Sequence, residues 1–124
     1  MIESTLTPAM ADLFYMSKKF GNAVHHMAVV DAPRRQRVRD AYVNSARLAR
    51  TEGSGHANAQ PSDELVRAME ELSERVTQDG AYDTTFSLMS DEEVGAIAEE
   101  IYEIYIAIQG ELSGALWTAG LKDC

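Results

Sequence analysis

Cysteine is almost absent from this chain of 124 residues: the only one, Cys124, is the last residue. A single thiol excludes an internal disulfide framework and a metal site built on several thiolates, and it fits a reducing, cytoplasmic setting. Long apolar runs are missing too. No stretch of about 18 uncharged apolar residues occurs, and no positively charged leader precedes an apolar run, so neither a membrane-spanning helix nor a secretory signal is expected. The sequence also lacks the G-x-x-x-x-G-K-[ST] and G-x-G-x-x-G loops that cradle phosphates, and the G-x-S-x-G turn that exposes a nucleophilic serine. The usual enzyme classes are left without support. His25 and His26 are adjacent, which on a helix sets them about 100° apart, too far round to share a metal ion.

Basic residues are scarce in one half only. Residues 1–52 hold eight Lys/Arg against five Asp/Glu, whereas residues 53–124 hold three against fifteen, and the net charge is −9. Either the two halves neutralise each other within the fold, or the acidic half is displayed to a basic partner. A negative field of this size opposes the approach of a polyanion, so direct binding of nucleic acid is not expected. With 45% hydrophobic and 25% charged residues the composition is that of an ordinary globular protein. Its length suits one domain, residues 1–124, around one core.

What is present is helix signal, clearest from Ser90 to Thr118. Ser90 with Glu93 three residues on is a capping box, in which the hydroxyl accepts from an orphan amide and the carboxylate reaches back to the Ser90 amide. Asp91, Glu92 and Glu93 add negative charge at the positive end of the helix dipole. At about 100° per residue, Val94, Ile97, Ile101, Ile104, Ile108 and Leu112 fall on one stripe, with Ala98 and Tyr105 along its edge. Tyr102, Ile106 and Trp117 project to a different side, where Gly110 and Gly114 leave the backbone bare. A helix apolar on two sides is covered on both, either by its own chain or, on one side, by a second subunit or partner. Tyr102, Ile106, Gly110, Gly114 and Trp117 are therefore the candidate interface.

Three further helices are expected. Thr7-Pro8 starts the first, with Thr7 as N-cap, and Met10, Leu13, Phe20, Val24 and Met27 keep helical spacing to about Val30, with Gly21 as a point of bending. Asp31-Ala32-Pro33 starts the second, which runs to about Thr51. Its apolar face is narrow, consisting of Val38, Ala41, Tyr42, Ser45, Leu48 and Ala49. Arg34, Arg35, Arg37, Arg39, Arg47 and Arg50 make the rest of it basic, and they are expected to pair with carboxylates of the later helices or with a partner. Residues 52–62, EGSGHANAQPS, read as a flexible crossover. The third helix starts at Ser62 or Asp63, carries Leu65, Met69, Leu72 and Val76 inward, and ends near Asp79-Gly80, where the glycine supplies a left-handed cap. Residues 81–89 are too apolar for a free loop. Tyr82, Phe86, Leu88 and Met89 are expected to plug one end of the fold as a short extended segment. The expected class is all-α, a four-helix bundle with a long central C-terminal helix.

The acidic spacing suggests one enzymatic idea. Glu70-Glu71-Leu72-Ser73-Glu74 has the form E-E-x-x-E, and Glu100-Ile101-Tyr102-Glu103 the form E-x-x-E. The pair resembles the all-α nucleotide pyrophosphatases of the MazG type, in which an E-E-x-x-E helix and a later E-x-x-D helix jointly bind Mg²⁺ for attack on a nucleoside triphosphate. The resemblance covers the third and fourth helices, has Glu103 where the family has Asp, and implies Mg²⁺-dependent nucleotide hydrolysis. Mg²⁺ takes such hard oxygen ligands while keeping waters and phosphate oxygens. The helical projection points elsewhere. With Leu65, Met69, Leu72 and Val76 inward, Glu70, Glu71 and Glu74 lie on the far side of their helix, and Glu103 lies opposite the isoleucine stripe. Carboxylates of a bundle-core metal site must converge inward. No catalytic residue, metal site or cofactor is assigned.

The expected function is a non-catalytic, acidic protein-interaction module. Its carboxylate face, Glu70, Glu71, Glu74, Glu99 and Glu103, would meet a basic protein surface, such as the cationic groove of a nucleic-acid-handling protein, and the Tyr102 side would serve self-association into a homo-oligomer. The compact, motif-free profile suits an inhibitor, adaptor or assembly factor of phage or plasmid type. A structural subunit of a larger assembly is the remaining alternative, with the Trp117 side buried by a copy of itself.

Overall fold

A computed structural model describes residues 8–52 and 62–118, with side chains from 13 to 49 and from 62 to 114. Thr7, most of the 52–62 crossover, Cys124 and the side chain of Trp117 lie outside the described residues. The helices are α1 (Pro8–Val29), α2 (Arg34–Ala41, continuing through a π-helical turn, Tyr42–Ala46, into Arg47–Glu52), α3 (Asp63–Val76), α4 (Tyr82–Leu88) and α5 (Asp91–Thr118). No strand occurs among the described residues. The class is all-α.

The starts of α3 and α5 carry side-chain caps, whereas α2 starts after Pro33, itself the N-cap, without a side-chain cap bond from Asp31 or any other residue. Ser62 Oγ accepts from the Leu65 amide at 3.1 Å and opens α3. At the start of α5 the Glu93 amide donates to Ser90 Oγ at 3.1 Å while the Ser90 amide donates to Glu93 Oε1 at 2.9 Å. The bond from the Ser90 backbone holds the Glu93 carboxyl below the usual glutamate range. After α3 the chain turns at Gly80, which sits at φ +97° and donates to the Thr77 carbonyl at 2.9 Å. The turn is tied to α4 by the Asp79 amide, which donates at 3.1 Å to Oγ1 of the fully buried Thr85.

The long helix α5 packs against two others along its length. On one side it runs antiparallel to α1, with Tyr105 against Gly21 and the Ser17 hydroxyl donating to Gln109 at 3.1 Å. On the other it runs antiparallel to α3, where the Ser62 amide donates to Glu111 at 2.9 Å and Arg75 reaches Glu100 at the far end. The second helix packs along α1, and its first half also touches α5 and α4. A single cluster of buried side chains draws on all five helices. Val94, Ile97, Ile101, Ile104, Ile108 and Leu112 are all buried in it, as the stripe requires.

Four details depart from expectation. Residues 82–88 form a fifth helix rather than an extended plug; Phe86 and Met89 are buried, but Leu88 is 67% exposed. The four expected helices are thus one short. Gly21 does not bend α1, which is continuous; it lets Tyr105 approach, since a Cβ there would lie 3.3 Å from the tyrosine ring. The third helix ends at Val76 rather than near Asp79. Finally, the π-turn of α2 inserts one residue into the helical count. Its inward face moves from Ser45 to Ala46, and Ala49 is buried while Leu48 is only half-buried.

Candidate functional site

The basic helix is turned largely onto its own chain. Arg35 donates from Nη1 to the carbonyls of Phe86 (2.5 Å) and Met89 (2.6 Å), and from Nη2 to Asp91 (2.9 Å). Arg37 Nη1 donates to the Met27 carbonyl at 2.8 Å, closing the α1–α2 corner. Arg39 bridges Asp40 and Asp83 at 2.6 and 2.7 Å, and the Asp40 bond chiefly raises its pKa. Arg47 Nε donates to the Val43 carbonyl, and its guanidinium lies 6.0 Å from the Tyr82 ring centre. Pairing with the later part of the chain therefore goes to Asp83 and the Phe86 carbonyl of α4, to the Met89 carbonyl just after it, and to Asp91, the first residue of α5. None of these bonds reaches α3.

The five carboxylates expected to form one face are all exposed, but they divide. Glu103 lines a groove of about 260 Å³ between α3 and α5, together with Glu64, Glu100 and Glu111 over Leu65 and Ile104. Glu71 acts on the same spot, since it and Glu103 both push up the pKa of Glu100. Glu99 faces a separate depression beside Arg34, Glu92 and Tyr102. Glu70 and Glu74 follow further round α3, with Glu70 about 100° from Glu71. The result is an acidic band wrapped over two helices, without a convergent centre. Among the described residues no three His, Cys, Asp or Glu side chains come together in a way that could hold a metal ion.

The second side of α5 is open. Tyr102 and Ile106 are each 50% exposed, and a Cβ added at Gly110 or Gly114 would meet nothing within 4 Å among the described residues. Of the two ways to cover a helix apolar on two sides, cover by the described part of its own chain is not realised here. By helical projection Glu99 and Glu103 lie on this same side, one turn from Tyr102 and Ile106. The candidate interface and part of the candidate acidic face are one surface.

The chain matches no protein-family model, no curated protein and no solved structure. Its site is therefore read from its own chemistry. Among the described residues no helix is long and apolar enough to cross a membrane.

Glu100 is the residue that the projection alone did not single out. It stands three positions after Ile97 and four before Ile104, on the edge of the buried stripe, and that edge position was the available signal. Burial raises its pKa first and the neighbouring Glu71 and Glu103 add to that, against the opposing pull of Arg75 Nη1, 2.5 Å away. A carboxyl whose folded pKa is raised binds its proton more tightly in the folded chain. Its stabilising contribution is full below the ordinary glutamate range and is lost as pH rises through the raised value. Glu100→Gln should therefore gain stability relative to the parent as pH rises out of the ordinary glutamate range and through the raised value, with a constant difference beyond. Urea midpoints of the two proteins across that range check the sign.

Proposed function

We propose that the protein is a non-catalytic interaction module that presents the carboxylates of α3 and α5 to a basic protein surface. One observation carries this reading: three of the α2 arginines are spent on groups outside α3. Arg35, Arg37 and Arg39 donate to backbone carbonyls and to Asp40, Asp83 and Asp91, so they do not neutralise α3. Glu70, Glu71, Glu74, Glu99 and Glu103 face solvent, on a chain of net charge −9. A field of that sign repels nucleic acid and draws in a cationic groove, where carboxylates take the places of phosphates. A nucleic-acid-handling protein is the partner class with such a groove. The contribution is to encounter rate and specificity more than to affinity, and it weakens with salt.

The test compares the parent with a variant in which Glu70, Glu71, Glu74, Glu99 and Glu103 are all glutamine. Both are immobilised, and a basic partner is captured and eluted in a rising salt gradient. The parent should retain the partner at low salt, release it as salt rises, and lose it to an added DNA duplex that competes for the same groove. The glutamine variant, equally helical by circular dichroism, should retain little. Equal retention by both proteins with the same salt profile would sink the proposal.

A further inference from the structure

We infer that the outer face of α5 seats one helix of that basic partner, a helix carrying a Lys/Arg pair and an apolar pair, each at i, i+4 spacing, about three turns apart. The inference rests on the reading just given and specifies the partner element. Three kinds of residue lie in sequence along this face: the carboxylates Glu99 and Glu103, the half-exposed anchors Tyr102 and Ile106, and the bare backbone at Gly110 and Gly114. Each pair repeats at i, i+4, so each aligns along the helix axis. From Glu99 to Gly114 the face is about 22 Å long at about 1.5 Å per residue. The space that the described residues leave open at Gly110 and Gly114 admits apolar side chains from a close-packed helix, and Tyr102 and Ile106 supply the apolar wall beside it. Glu99 lies eleven residues before Gly110, about three turns, which sets the distance between the partner's basic and apolar pairs.

Charge decides between a partner helix and a second copy of this chain. A copy docked on the same face would bring Glu99 and Glu103 again, placing four carboxylates along one narrow seam. Among the described residues Arg34 stands on this face, its Nη2 2.8 Å from where a Cβ on Gly95 would stand, at the N-terminal end. A seam about 22 Å long and about 10 Å wide covers about 220 Å² per helix, far below the roughly 800 Å² per partner of a standard interface. So small an apolar gain does not offset desolvating unpaired carboxylates. A helix that brings its own Lys or Arg to Glu99 and Glu103 removes that cost, and the rest of the partner's grip falls on the acidic band of α3.

The probes are two fluorescein-labelled, alanine-based helical peptides of 21 residues, one for each chain direction. Each carries two arginines at i, i+4 and two leucines at i, i+4 on the same side, the pairs eleven residues apart. Isomers of identical composition, with the leucines moved to the opposite side, are the controls, and binding to the full chain is followed by fluorescence anisotropy. One of the two directions should bind at least tenfold more tightly than its isomer. Gly110→Leu, or Gly114→Leu if the first lowers helicity, should abolish that preference, and Glu99→Gln with Glu103→Gln should flatten the salt dependence. If neither peptide outbinds its isomer, or if both glycine variants keep the preference, the inference is wrong; the proposed function survives provided the five-glutamine variant still loses its basic partner. Should light scattering find a dimer that Ile106→Arg dissociates, a second copy owns this face and the inference is likewise wrong.

Discussion

Replacing Arg35 with alanine should destabilise the protein by about 2–4 kcal/mol, a large effect for a half-exposed arginine. The cost lies in what the side chain holds. Its Nη1 donates to the carbonyls of both Phe86 and Met89, two residues that are themselves buried. Leaving a buried acceptor unpaired costs about 1–3 kcal/mol, and here there are two. The third bond, to Asp91, adds little, because that carboxylate is 97% exposed and water screens it. Asp91→Asn is therefore expected to cost under about 1 kcal/mol and serves as the control. Arg35→Lys should recover only part of the loss, since an ammonium cannot span acceptors as a planar fork does. The damage should concentrate in α4, whose seven residues are too few to hold a helix without tertiary support. Urea unfolding gives the magnitude and amide exchange its location. A loss at Arg35→Ala no larger than at Asp91→Asn would mean that the carbonyls find other donors.

Arg35 also marks where sequence reasoning reaches its limit. Helix starts depend on groups two or three residues apart, so Ser90 and Glu93 announce their capping box in full, while for α3 the sequence leaves the start open between Ser62 and Asp63. The isoleucine stripe of α5 was equally legible, since burial of a long regular helix follows from period alone. The face of α2 was not. A π-turn adds one residue to the count, and nothing in Tyr42–Ala46 signals it, so a strict helical projection placed Ser45 where Ala46 stands. Gly21 was read for its flexibility, whereas its role is to leave room for Tyr105, 84 positions away. Charge alone matches the α2 arginines with carboxylates of the later helices or with a partner. Most of what Arg35 and Arg37 satisfy is backbone carbonyl, which leaves no trace in sequence. Glutamate spacing gave the exposure of the acidic residues correctly but not their grouping. That depends on how α3 sits beside α5, which brings Glu71 and Glu103 to Glu100 and leaves Glu70 apart.

The two sides of α5 make opposite predictions for the same substitution. Ile101→Ala should cost about 3–4 kcal/mol, because Ile101 is 0% exposed at the centre of the core and its truncation loses both transfer free energy and the contacts around the cavity left behind. Ile106→Ala, five residues on in the same helix, should lie within about 0.5 kcal/mol of the parent. Its side chain is 50% exposed, so little apolar area returns to water, and the higher helix propensity of alanine offsets part of that. The contrast is free of helix-end effects, since both positions lie well inside Asp91–Thr118. It also reports on function: a side chain that contributes nothing to folding yet stands beside an open stretch of backbone is free to contribute to binding. Denaturation midpoints of the two variants read the difference directly. If Ile106→Ala instead cost as much as Ile101→Ala, the outer face would already be covered in the folded protein, and no partner helix could be seated there.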